Sequence, residues 1–436
     1  MQRALPVSAL LILLPALAAC GDKDDTGPDS PADTQPDSPA DTAPDSGGDS
    51  QPPDEPAIED CGDGATGFIT SPELAVHVWA DAEPDGDGSW AHPFQDLDSA
   101  LELTRLSDDD KHIAVWAGVY SANLRLSAAA GDSGTIIQGC GMDLVFIDAD
   151  DAEAPVVMIS EAQDVQIEGL CTRGGTRNIQ IWSDALATLT SVRSTQSTSA
   201  GVLIQGAVTV ATLEDVQVDG LLPDADGLGY GIAVQEGASA TISGGSVAGA
   251  TAVGIFIDDA GEIDIDGVAV SDTVADSSGY YGHGLQVQAD TVQVTVDNAA
   301  FTDNQGAGVF VLQGLGFTMS ASTVTSTLAS AIPDSAETAG DGVVISRGDG
   351  NINPATFLAT LEGNTLEGSA RAGILLDGVT AVLSSNVLSG NGVGEDVALA
   401  QDFAVVSGVD DVTELAEEDS MAINLVPLTA IDPGSI

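Results

Sequence analysis

The stretch GIFIDDAGEIDIDGVAV, residues 254–270, holds three apolar pulses separated by acidic and glycine-bearing corners. Ile255 and Ile257 flank Phe256, Ile263 and Ile265 flank Asp264, and Val270 follows five residues after Ile265. Period-two alternation predicts short strands, each with one face turned inward. Three such strands in so few residues are too short to form separate sheets.

The same arrangement recurs along the chain. The Ile263/Ile265 pair is matched by Val165/Ile167, Ala187/Leu189, Ala211/Leu213, Ala240/Ile242, Val294/Val296, Phe317/Met319, Ala359/Leu361 and Ala381/Leu383. Successive second members lie 22, 24, 29, 23, 31, 23, 42 and 22 residues apart, so the short spacing is the unit and the long ones carry insertions. A pulse like Val270 returns at Val218, Val247, Phe301, Val324, Leu366 and Leu388, and GIFI returns as GVLI at 201, GIAV at 231, GLQV at 284, GVFV at 308, GVVI at 342 and GILL at 373. Stacked coil on coil, each strand pairs with its equivalent in the next turn, and the inward side chains form one continuous core.

This pattern resembles the right-handed parallel β-helix of pectin-lyase-like proteins, over roughly residues 75 to 402. Asn364 and Asn386, one coil apart, fit the stacked-Asn turns of that fold. The Leu-x-x-Leu-x-Leu signature of a leucine-rich horseshoe is absent. Residues 67–160 resemble the family's opening. A strand and a Gly/Asp loop lead to a helix with Leu97, Ala100, Leu101 and Thr104 on one face, and then to strands split by a Gly-Val-Tyr turn near residue 119. Such a helix caps the open end of the coil, where core and strand edge would otherwise be exposed. Coils proper are expected over 161–402 and a closing cap over 403–436.

The first 19 residues have Arg3, then an apolar stretch from Leu5 to Leu17, the pattern of a secretory signal too short to span a membrane. Leu17-Ala18-Ala19-Cys20 resembles the bacterial lipobox, which implies cleavage before Cys20 and lipidation of its thiol. Residues 20–66 then form a Pro/Asp/Ser/Thr/Ala-rich linker with no apolar periodicity. Such a segment cannot offset its chain entropy by burial, and is expected to be an extended stalk. The expected address is the outer membrane or cell surface, with the membrane touched through the lipid anchor only.

Acidic residues number 68 against 10 basic, for a net charge of −58, which argues against nucleic acid and anionic lipid surfaces as partners. Cys61, Cys140 and Cys171 allow one disulfide and one remaining thiol, with the pairing open.

Candidate sites centre on the glycine-led strand. Gly-His-Gly at 282–284 resembles the catalytic histidine segment of polygalacturonases, which would give His283 a role. The aligned glycine, however, recurs in every coil, and neighbouring strand starts hold Tyr230 and Val253 where carboxylates would be needed. A polysaccharide lyase or glycoside hydrolase would draw on Asp258, His283, Asp341 or Arg347. The non-catalytic alternative is glycan or surface-partner binding. Leu203, Ala233, Phe256, Gln286, Phe310, Val344 and Leu375 form one outward row, and Gln205, Gln235, Asp258, Gln288, Leu312, Ser346 and Asp377 the next. Phe256 and Phe310 could stack on sugar faces while Gln286, Gln288 and Asp258 bond their edges. Insertions at 219–230, 273–283 and 326–341 enter this strand, and either wall such a groove or fold down over it. A purely structural surface protein is the third reading.

No cofactor is indicated. Asp81, Glu83, Asp85 and Asp87 alternate as in a calcium loop, but His92 stands where an EF-hand would place Glu. Calcium is the ion these oxygen donors would favour.

Overall fold

The computed structural model describes residues 75–107, 111–289, 291–332, 336–347, 357–392, 397–399, 405–407 and 412–414, together with Cys61, Leu428, Ala430 and Ile431. The signal segment, Cys20 and nearly all of the stalk lie outside the described residues, as does most of 403–436.

Three parallel sheets of 13, 12 and 11 strands wind around one core. A complete coil contributes one strand to each sheet, as in Leu186–Thr190, Arg193–Thr195 and Ala200–Gln205. All nine alternating pairs stack in register in the first sheet, from Ile167 on Leu189 through to Leu361 on Leu383. The Val270-type positions stack in the third sheet from Val218 to Leu388. The glycine-led strands stack in the second from Val202 to Ile374. Parallel pairing between neighbours ~22 residues apart is what a coil imposes, because a tight hairpin reverses strand direction.

Corners carry the remaining polar groups. Asn364 accepts from the Ser322 N–H at 2.9 Å and donates to Met319 O and to Asn386 Oδ1. Asn386 donates in turn to Leu361 O at 2.8 Å. A second ladder occupies the next corner: Asn304 bonds Thr273 N and Val270 O, and Asn391 bonds Ser369 N and Leu366 O. Each asparagine satisfies backbone groups that a buried corner would otherwise strand.

At the N-terminal end the helix Leu97–Thr104 buries Leu97, Ala100, Leu101 and Thr104, and Asp96 caps it by accepting from Ser99 N at 2.8 Å. The expected Gly-Val-Tyr turn is instead a strand, Gly118–Ser121, paired with Val145–Asp148. Buried Tyr120 points inward and donates to Trp116 O at 2.7 Å, so its ring belongs to the core. Cys61 and Cys140 form the disulfide, and Cys171 is a buried thiol. Closing a loop of 79 residues removes denatured-chain entropy equivalent to about 4.5 kcal/mol. At the other end, Val405–Ser407 and Val412–Glu414 extend two of the sheets. Leu428 and Ile431 lie on the flank of the helix, far from those last strands in coil order.

Candidate ligand-binding site

The outward rows of the glycine-led sheet align as the repeat predicts, with Leu203 on Ala233, Phe256, Gln286, Phe310, Val344 and Leu375 in turn. They do not form an open surface. Phe256 and Gln286 have no exposure, Phe310 has 2% and Gln288 4%. Leu228 and Tyr281 of the insertions and Leu428 and Ile431 of the tail fold down over Leu203, Ala233 and Phe256, and a sugar cannot reach these faces while they remain there.

Two insertions share one turn. Asp224 Oδ1 accepts from Asp226 N and Leu228 N, both at 2.9 Å; Asp276 Oδ1 accepts from Ser278 N and Tyr280 N at 2.9 and 2.8 Å. An Asp side chain bonding backbone two and four residues on gives a rigid hook. Leu228 and Tyr281 thereby pack against the cluster of Leu203, Tyr230, Ala233, Val253 and Phe256. The third insertion forms a small ribbon, Ser330–Ala331 with Thr338–Ala339, and Ala331 N bonds Gly279 O of the second at 2.9 Å. The insertions therefore lean on one another as a wall.

The C-terminal segment completes the cover. Leu428 and Ile431 join that same cluster. Gln288 donates to Leu428 O at 2.7 Å and accepts from Leu428 N at 3.1 Å. Gln235 does the same for Ile431, at 2.7 and 2.9 Å. Gln288 Nε2 also reaches Asp258 at 3.0 Å, and its Oε1 accepts from Gln286 at 2.8 Å, so its amide is fully used. Burial raises the Asp258 carboxyl above its usual range, while the Gln288 bond opposes this.

Beside this cover a cleft of about 720 Å³ stays open at the strand starts. Its lining includes Thr176, Thr198, Ser199, Glu153, Asp226 and Arg177, together with Tyr230, Ala430 and Ile431. The Tyr230 ring packs on Phe256 with centroids 5.2 Å apart, and burial raises its phenol well above the usual range. The stacked coils hold these groups on successive turns, a preformed array of donors and acceptors of the kind a small polar ligand needs.

The catalytic candidates do not converge. His283 is buried at 2%, stacked on Phe310 at 4.7 Å, and desolvation lowers its pKa to about 3. It is a neutral ring held inside the cover. Asp341, fully buried, accepts from Arg371 Nε at 2.9 Å and from Ala372 N at 3.0 Å, a structural ion pair. Asp258 and Arg347 sit at the far end of the strand: Asp258 aligns with Gln288, and Arg347 follows Ser346, whose strand begins at Asp341. Five strand residues separate the two groups by roughly 16 Å. Asp81, Glu83, Asp85 and Asp87 are exposed and belong to a hydrogen-bonded turn, in which Asp87 accepts from Ser89 N at 3.0 Å. The Ser89 side chain, and then that backbone bond, lower the Asp87 carboxyl. No three metal-ligating side chains come together among the described residues.

The tail clasp and the cleft went unseen in the sequence reading. GVLI, GIAV, GIFI, GVFV, GVVI and GILL put an apolar residue on the outward position too, and a nearly continuous apolar run marks a strand buried on both faces. That signal announced a cover, though not what supplies it.

A family model described as "Right handed beta helix region" matches residues 177–353. With the three parallel sheets, this makes the chain a right-handed parallel β-helix. Among solved structures it is similar to the Dettilon tailspike protein at 10% identity and a TM-score of 0.47, covering 76% of this chain and 68% of that one. The Agl-KA catalytic domain is also similar, at 10% identity and 0.49, covering 80% and 69%. So is the catalytic unit of a GH87 alpha-1,3-glucanase from Streptomyces thermodiastaticus, at 12% and 0.44, covering 82% and 72%. At these identities the likeness is one of fold alone. No curated protein sequence matches the chain.

Proposed function

We propose that the protein is a non-catalytic glycan-binding module of the cell envelope, held away from the membrane on a stalk lipidated at Cys20. The cleft beside the glycine-led strands carries this reading. Hydroxyls of Thr176, Thr198 and Ser199, carboxylates and one guanidinium line a concave site large enough for a few sugar rings. Of the Phe256, Phe310, Gln286, Gln288 and Asp258 set, Phe256 supports the cleft by packing on Tyr230, and none of the five lines it. The strongly negative chain favours neutral or cationic glycans, or anionic ones bridged by calcium.

A glycan array followed by calorimetry tests the reading. Asp226→Ala with Thr198→Ala should weaken binding at least tenfold while leaving the melting temperature unchanged. Binding that is absent across neutral, cationic and calcium-supplemented anionic glycans would overturn it. Product release from a polysaccharide panel that is lost on Asp226→Ala would favour the lyase or hydrolase reading instead. For the anchor, Cys20→Ala should abolish metabolic labelling with palmitate and release the protein from membranes.

A further inference from the structure

We propose that the covered face of the glycine-led sheet is a peptide-binding site, and that its occupant is a C-terminal segment which one copy of the protein can supply to another. The proposal rests on how the segment around Leu428–Ile431 is held, and does not depend on the glycan reading.

Two glutamine side chains grip it by its backbone. Gln288 and Gln235 each pair one amide with the N–H and C=O of a single residue, Leu428 and Ile431 respectively. This imitates a strand-to-strand bond pair, but comes from side chains lying two coils apart in one row, since Gln235 aligns with Asp258 and Asp258 with Gln288. Two coil spacings amount to roughly 9.6 Å, and one three-residue turn of a polyproline II chain advances roughly 9.3 Å. That conformation brings side chains three apart to the same face. Leu428 and Ile431 do pack into one cluster, against Leu203, Ala233 and Phe256. Pro427 and Pro433 bracket the segment, and proline favours such extended conformations.

The row continues past the two clamps. Gln205 aligns with Gln235 one coil nearer the N-terminus. It is 2% exposed, and its Oε1 has no partner among the described residues. A buried amide oxygen without a partner, one coil beyond the second clamp, is where a longer segment would find its next acceptor.

The tether does not force the segment onto its own helix. The last strand among the described residues, Val412–Glu414, lies five strands from the Gln288 strand in the same sheet. The span is roughly 24 Å at the usual strand spacing, against a reach of roughly 46 Å for the 14 residues from Glu414 to Leu428. Own-chain docking is favoured by effective concentration, and exchange becomes competitive where copies crowd together.

The test uses the full-length chain carrying Leu428→Asp and Ile431→Asp, which empties the face without touching the receptor. Circular dichroism and melting establish that it is folded. A fluorescent peptide of residues 423–436 should bind this variant saturably, and at least tenfold more weakly to the wild type, whose face is occupied. Adding Gln235→Leu and Gln288→Leu to the variant should weaken peptide binding at least tenfold. Wild type mixed with the emptied variant should form a heterodimer in analytical ultracentrifugation that excess peptide dissolves. A folded variant that ignores the peptide, binding indifferent to the two glutamines, or peptide binding without any heterodimer would each overturn the proposal. In the wild type, the Leu428 and Ile431 amides should exchange hydrogen faster than those of Ile255 and Ile257, because the segment lifts without unwinding the core.

Discussion

Two outer faces of the same helix have opposite fates. In the first sheet the outward row runs Thr188, Thr212, Thr241, Asp264, Thr295, Thr318 and Thr360, partly or fully exposed. In the glycine-led sheet the corresponding row runs Leu203, Ala233, Phe256, Gln286, Phe310, Val344 and Leu375, and all of it is buried. Both rows stand on strands of the same coils, and both sheets bury their inward side chains in one core. Coiling requires only the inward alternation; the outward residue decides whether a face meets water or a further layer of chain.

Outward substitutions should separate the two faces sharply. Phe256→Ala, on the covered face, should cost about 3–5 kcal/mol of stability, read by denaturant or thermal unfolding. Little or no loss would mean that the cover is not packed on that ring.

Acid should act through the covered face next. His283 titrates at about 3 when folded, against 6.5 when exposed. Its contribution is therefore complete above pH 6.5 and is lost as pH falls from there through 3, to a total on the order of a few kcal/mol. Relative to wild type, His283→Phe should flatten the fall in stability over that window. His77, lowered to about 4 by burial and then by His112, should leave a smaller residual slope. Parallel pH profiles for variant and wild type would break the claim.

The corner ladders fall between the faces. Asn364→Ala removes the partners of Ser322 N and Met319 O and should cost about 1–3 kcal/mol, measured by thermal unfolding. The smallest effect belongs to the open face: Thr241→Ala should stay within about 0.5 kcal/mol of wild type. A larger loss there would show that the threonine row carries a layer of its own.

The coil was legible because its signal repeats. A two-residue alternation returning about every 22 residues, with glycine, Asn and Asp at the corners, permits few other arrangements, and Asn364 and Asn386 could be paired by position alone. The helix cap was equally readable from Leu97, Ala100, Leu101 and Thr104. Other features lacked such redundancy. Tyr120 sits in what looks like a turn, and its burial and its bond to Trp116 O show it to be core. The Cys61–Cys140 pairing depends on where the first coil closes. The site was harder still, since Gln235 and Gln288 meet residues 196 and 140 positions away. No periodicity links those partners. Phe256 lies on the outward row that the alternation predicts, yet there it faces another piece of the chain.

The backward reach of the C-terminal segment also changes how the molecule bears mechanical load. Pulling on the C-terminus would stress the Gln288 and Gln235 clasps near the middle of the rod before it could peel the last strands, and each clasp would resist through two bonds at once. The C-terminal segment is thus belayed to the most regular part of the spring, and a pull applied beyond it reaches the last described strands only after that knot slips.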